Sequence, residues 1–231
     1  MTHARRTLDI ESYESLLMEY VAGTLDGAQA FIIGTHLRLS PRGRDLVHEF
    51  ESLAATLLEK CCEPVPMSPH SLEATLQRLE QSESRAQPQQ PRSRAFPADA
   101  HVPDCVEQVF IEMGFVPAQT KWRTIYPGLR AMRLPVQCRT SKTHIFQFNP
   151  GTGAPDHAHR GIELTLILDG AFADDEGVYE PGDLLVSTPQ SPAHAPKACE
   201  KQGCVCLNVF SGGAVRLTGP LARLLNPFLR F

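Results

Sequence analysis

The chain has little that would tie it to a membrane or to nucleic acid. Its apolar runs fall far short of the ~18–20 residues needed to span a bilayer. Basic side chains do not predominate: 22 Lys and Arg stand against 26 Asp and Glu, a net charge of −4, so nothing points to direct nucleic-acid binding. Aromatic residues are few, with a single Trp. The start, Met-Thr-His-Ala-Arg-Arg, runs on to Asp9 and Glu11 without the apolar stretch of a secretory leader. Seven cysteines, an odd number, follow no small-domain framework and are expected as free thiols in a reducing compartment. A cytoplasmic protein is therefore expected, and 231 residues suffice for one large or two small domains.

What is present centres on the run from Gly151 to Gly170. His157 and His159 stand two apart, so on an extended strand both imidazoles leave one face. After Arg160-Gly161 comes a strand opening with Glu163, Ile162 to Leu168, apolar on both faces, which should carry the Glu163 carboxylate into a β interior. Pro181-Gly182-Asp183 signals a turn, and beyond it Pro189 and Pro192 lead to His194. Three imidazoles and a carboxylate are costly to bury without a partner, and a divalent cation removes that cost. An isolated His-x-His could equally be a pair of exposed loop residues. The whole spacing is rarer, and it matches the metal-binding signature of the cupin family. Metal ligands His157, His159, Glu163 and His194 are expected.

Residues 9 to about 83 read as helical. Leu16, Leu17, Tyr20 and Val21 recur at helical spacing before Gly23, and Asp26 can cap a second helix bearing Ala28, Phe31, Ile32 and Leu39. Ser40-Pro41 starts a third helix, with Leu46, Val47, Phe50, Leu53, Ala54, Leu57 and Leu58 in one stripe, ended by Glu63-Pro64. A fourth starts at Ser68-Pro69 or Ser71 and carries Leu72, Leu76 and Leu79. Four such helices make a small core, and an apolar face left over usually means a partner. Residues 1–83 hold 13 acidic and 7 basic side chains, a net of −6, which suits a basic partner. Residues 84–100, rich in Gln, Pro and Arg, read as a flexible linker. From 101 to 231, short strands between Pro and Gly turns predict an all-β double sheet or barrel, with a hairpin tip at Asp174–Gly177. Cys204-Val-Cys206 puts two sulfurs on one strand face, either as a metal or redox pair or as small buried wall residues. The end of the chain, 217–231, is amphipathic and could cover an edge or pack on the helices.

This combination resembles the ChrR-type cupin anti-sigma factors. The likeness rests on Pro127-Gly128, on His157-Ala-His159-Arg-Gly-Ile-Glu163-Leu-Thr-Leu-Ile-Leu-Asp-Gly170, on Pro181-Gly182-Asp183-Leu and on Cys204-Val-Cys206-Leu. Tyr20-Val-Ala-Gly-Thr-Leu25 and Thr35-His36-Leu37 are similar to the family's sigma-binding unit. The resemblance implies an α + β protein of two domains, a helical bundle over 1–83 and a cupin jelly-roll barrel over 101–231. It implies sequestration of an extracytoplasmic-function sigma factor by the helices, and release when the cupin senses singlet oxygen or peroxide. It also implies one divalent metal per chain in the cupin, zinc foremost, with Fe, Mn or Ni chemically admissible. A homodimer is compatible with a class whose members often pair through sheet edges. The family's N-terminal zinc ligands correspond here to Glu11, His36, Ser40 and Gly43. That set lacks the soft thiolates which supply much of such a site's affinity, so no N-terminal zinc is expected. His3 is the one conceivable replacement ligand, Ser40 is expected to act as a helix cap, and His36 as a polar residue packed or solvated at a helix end.

The competing reading is a metal-dependent cupin enzyme, a dioxygenase or isomerase with a helical dimerisation unit, since a His₃Glu site leaves open positions on a six-coordinate metal. No strong acid or base accompanies the ligands. His144 is the weak candidate, read as a strand-surface residue. A purely structural metal is a third reading. The helical unit and linker favour the regulator.

Overall fold

The computed structural model describes residues 10–84, 110–111, 121–136, 138–213 and 215–218. His3, nearly all of the 84–100 segment, the start of the second unit near 101, Cys105 and the tail beyond 218 lie outside the described residues, as does the side chain of Glu11.

Four helices come first: α1 (Ile10–Val21), α2 (Gly27–Leu39), α3 (Pro41–Cys61) and α4 (Ser71–Ser84). Their ends follow local chemistry. Gly23 takes up a left-handed φ of 68° just past α1. Asp26 closes a capping box with Gln29 at the start of α2. The Ser40 hydroxyl accepts from the Gly43 N–H at 3.0 Å, and Pro41 occupies the first turn of α3.

The strands are β1 (Arg123–Tyr126), β2 (Leu129–Leu134), β3 (Ser141–Phe148), β4 (His157–Ala158), β5 (Ile162–Gly170), β6 (Phe172–Asp174), β7 (Gly177–Tyr179), β8 (Leu184–Ser187), β9 (Lys197–Ala198), β10 (Cys204–Ser211) and β11 (Arg216–Leu217). Six of them form one sheet in the order β1-β2-β3-β10-β5-β8, opposed by β7-β6-β9 and the pair β11-β4. Every pairing among these described strands is antiparallel.

Strand periodicity divides the large sheet cleanly. On β5, Leu164, Leu166 and Leu168 join the core shared with the helices, while Ile167 belongs to the core between the sheets. On β10, Val205, Leu207 and Val209 face the helices, and Cys204, Cys206 and Phe210 face inward. The outward layer is covered by α2, whose Ala28, Phe31, Ile32 and Ile33 are all buried. This covering is why the β5 sequence is apolar on both faces. The helical unit accordingly has no separate core: α2 lies between its sister helices and the sheet. Both ends of α2 are tied to the β unit, through Asp26 to Thr140 and Ser141 and through His36 to the Gly182 carbonyl.

Burial stops midway along α3. Leu46, Val47 and Phe50 pack on the core, whereas Leu53, Leu57 and Leu58 are more than half exposed. Val65, Met67, Leu72, Leu76 and Leu79 continue that exposed apolar series through α4, each at 50% exposure or above.

Candidate metal centre

His157 and His159 lie on and just after β4, and His194 sits opposite, bridged to His157 by paired backbone hydrogen bonds of 3.0 Å each. The chain can turn between His159 and β5 because Gly161 lacks a Cβ, which would otherwise collide with the Ser211 carbonyl. One ring nitrogen from each of His157, His159 and His194 lies within 4.8 Å of the others. Glu163 stands beside them. Its Oε2 is 3.1 Å from His159 Nδ1, and its Oε1 accepts from Asn208 Nδ2 at 2.7 Å and Thr165 Oγ1 at 3.1 Å.

The outer ring nitrogens set the tautomers. Nδ1 of His157 faces the Pro155 carbonyl at 2.8 Å, and a carbonyl can only accept, so Nδ1 carries the proton. Nδ1 of His194 meets Asp174 Oδ2 at 3.3 Å, and Nδ1 of His159 meets Glu163, so both nitrogens carry protons toward carboxylates. The Nε2 atoms of His159 and His194 then face each other at 3.1 Å as lone pair against lone pair. Glu163 Oε2, buried, has the His159 Nδ1–H as its neighbouring donor. Converging imidazole lone pairs with an ionised carboxylate beside them suit a bound cation. The protonation equilibria agree. Burial pushes His157 toward its neutral form. Burial also works to raise Glu163, but the nearby His159 and His157 and the Asn208 amide outweigh it, so the carboxyl stays ionised.

Asn208 and Asp174 are functional neighbours that motif spacing alone did not reveal. Asn208 is the inward-facing polar residue of an otherwise apolar strand, and it also donates to Thr165 Oγ1 at 2.6 Å. That parity, shared with Cys206, was a readable signal. Asp174 lies at the anticipated hairpin, where its Oδ1 accepts from Glu176 N, Gly177 N and the Tyr179 hydroxyl. Nothing in local sequence ties it to His194, which is 20 residues away.

His144 corrects the expectation of a surface residue. It is buried against Phe146 and Phe210, and burial with the Arg133 and Lys142 charges pushes its pKa down to about 4. Cys204 and Cys206 are both buried, and the Cys206 thiol is held protonated by its hydrogen bond with Cys204 and by burial. Beside the cluster opens a cavity of about 370 Å³, lined mainly by apolar side chains including Tyr126, Leu129, Phe146, Phe148, Phe172, Leu185 and Phe210.

Comparison with known proteins places this geometry. Residues 112–212 match the ChrR cupin-like domain. Over 218 residues the chain is 31% identical to the anti-sigma-E factor ChrR of Cereibacter sphaeroides, covering 94% of this chain and 96% of that protein. The chain belongs to the ChrR family. The crystal structure of Rhodobacter sphaeroides SigE in complex with the anti-sigma ChrR superposes on 90% of this chain and 99% of that one, with a TM-score of 0.67 and 27% identity.

At three of the positions where the resemblance would place N-terminal zinc ligands, His36, Ser40 and Gly43, the surroundings are otherwise occupied. His36 Nδ1 donates to the Gly182 carbonyl at 3.0 Å, so its Nε2 accepts from the Tyr13 hydroxyl at 2.7 Å. Burial keeps this imidazole neutral. Ser40 caps α3, and a Cβ on Gly43 would stand 2.7 Å from the Tyr13 oxygen. Tyr13 fills the space beside His36, Ser40 and Gly43.

Proposed function

We propose that this chain is an anti-sigma factor that sequesters an extracytoplasmic-function sigma factor through residues 1–83 and senses oxidative stress, as singlet oxygen or peroxide, through a metal-binding cupin over 101–231. Residues 84–100 join the two units, and the protein works in the cytoplasm. None of the helices among the described residues is long and apolar enough to cross a membrane.

The observation that carries the sigma-binding half is the exposed apolar series on α3 and α4. Eight side chains from Leu53 to Leu79 stand half or more in solvent, six on α3 and α4 and two, Val65 and Met67, on the connection between them, with acidic residues interspersed. Such a face is unfavourable in water and marks a protein partner. The relative in the SigE complex supports the choice of a sigma factor. Binding of the cognate sigma factor to the full chain, measured by calorimetry, is expected to weaken at least 100-fold in Leu57→Asp and Leu76→Asp. Full binding by both variants would remove this surface from the interface.

For the sensor half, His157, His159 and His194 would hold the cation through their converging ring nitrogens, with the Glu163 carboxylate beside them as the expected fourth donor. Pro155, Asp174 and Asn208 keep those donors oriented. The ion, zinc foremost, supplies a Lewis-acidic position for an oxygen donor. No zinc resides in the helical unit, where the Tyr13–His36 hydrogen bond and the Ser40 cap replace a metal cross-link. Metal analysis of the purified chain should give close to one ion, lost in His159→Ala and unchanged in His36→Ala. An ion retained in His159→Ala would refute the assignment.

A further inference from the structure

We propose that the cavity beside the histidine cluster binds an unbranched aliphatic monocarboxylic acid of medium chain length, with the acid group toward the cluster. The proposal rests on the cation-binding reading of that cluster and adds the ligand's chemistry to it.

Three observations converge. Most polar side chains of the lining gather at one end and are joined by hydrogen bonds, in part through His159 behind the wall. Asn208, Thr165 and Glu163 are linked by hydrogen bonds, Glu163 touches His159, His159 touches His194, and His194 touches Asp174. The rest of the wall is aliphatic and aromatic, and the Tyr126 hydroxyl is turned away to the Gly153 carbonyl, leaving its ring as the lining surface. A ligand matching this wall has one polar end and an apolar body. The volume of about 370 Å³ sets its size. This falls within the roughly 300–1,000 Å³ of small-ligand pockets and admits a chain of medium length. Decanoate represents that class.

Charge selects an acid over a neutral head. A carboxylate is a charged oxygen donor and suits an open position on a divalent cation better than a neutral hydroxyl does. Asp174 is committed to Glu176 N, Gly177 N, Tyr179 and His194. That commitment leaves the cation as the group that a ligand's acid end would meet.

Zinc-loaded full-length protein titrated with hexanoate, octanoate, decanoate and tetradecanoate tests this by calorimetry. Each added methylene should tighten binding about fourfold up to ten carbons, and tetradecanoate should gain nothing more. Decan-1-ol should bind at least tenfold more weakly than decanoate. Ala154→Trp, or Val215→Trp if the first fails to fold, should abolish decanoate binding with zinc content and circular dichroism unchanged. Absence of chain-length dependence, an alcohol as tight as the acid, or full binding by a folded, cavity-filled variant would overturn the proposal. A zinc-loaded chain indifferent to decanoate sinks this inference alone, whereas a chain that takes up no zinc sinks the metal reading beneath it.

Discussion

Replacing Asp26 with Ala should loosen the joint between helices and sheet, and the size of the effect can be worked from its contacts. Oδ1 accepts from the N–H groups of Ala28 at 3.0 Å and Gln29 at 2.9 Å, and loss of such a cap costs about 1 kcal/mol. Oδ2 accepts from Thr140 at 3.0 Å and from Ser141. Hydrogen bonds to a charged group reach about 1.5–3 kcal/mol when desolvated. Here Asp26 is partly exposed, Thr140 can turn to water, and Ser141 keeps Ser211 at 2.6 Å, so screening reduces the pair to about 1 kcal/mol. The total is about 2 kcal/mol for Asp26→Ala, and about 1 kcal/mol for Asp26→Asn, which keeps the Oδ1 cap. Partial burial works to raise the Asp26 pKa, but the donors from Ser141, Gln29 and Thr140 outweigh it and leave the value below the ordinary 3.8. The stabilisation is therefore fully present above the unfolded value and disappears as pH falls through the lower, folded one. Urea unfolding of the full chain can be followed by far-ultraviolet dichroism for the helices and by Trp122, the single tryptophan, for the β unit. A wild-type-to-Ala gap under about 0.5 kcal/mol at pH 7, or one that persists undiminished at pH 2.5, would refute the reasoning.

Asp174→Asn should lower metal affinity about 10–100-fold while the fold remains, measured by competition with a chromophoric chelator, because His194 loses the carboxylate that orients it. Stripping the metal should destabilise the β unit by about 3–4 kcal/mol relative to protein in free metal at 100–1,000 times Kd, read from Trp122 during urea unfolding. Tyr13→Phe should cost about 1–3 kcal/mol, equally with and without chelator, because it leaves the buried His36 Nε2 without a donor. Gly43→Ala should be destabilising despite its better helix propensity, and less so in a Tyr13→Phe background, since the added Cβ would stand 2.7 Å from the Tyr13 oxygen.

Sequence carried the local features furthest. The Asp26 and Ser40 caps, the hairpin at Asp174 and the interior placement of Glu163 each follow from residue types within a few positions, and the structure has all of them. Convergence of His194 on His157 was legible because the cupin spacing encodes a long-range pairing. Contacts made by tertiary packing alone were not. The Tyr13–His36 hydrogen bond joins residues 23 apart on different helices, and the His36–Gly182 contact spans 146 positions. His144 was misjudged because a polar residue alternating with apolar ones usually faces water, whereas here it faces inward with Phe146 and Phe210.

That inward face and the helix-covered outward face belong to the same strands, which has a mechanical consequence. Glu163 and Thr165 of β5 alternate with Leu164 and Leu166, and Asn208 of β10 alternates with Leu207 and Val209. The first set faces the cavity and the histidine cluster; the second packs in the core shared with α2. In a close-packed interior a strand cannot shift one face without the other. A substitution on the outer face should therefore register at the metal. Leu207→Ala, which touches no proposed ligand, removes side-chain volume from a fully buried position of the core shared with α2. It is expected to cost about 2–5 kcal/mol of stability and to change metal affinity measurably, whereas Leu76→Ala on exposed α4 should leave that affinity untouched. Equal metal affinity in the wild type and the folded Leu207→Ala variant would show that the two faces of β10 are mechanically independent.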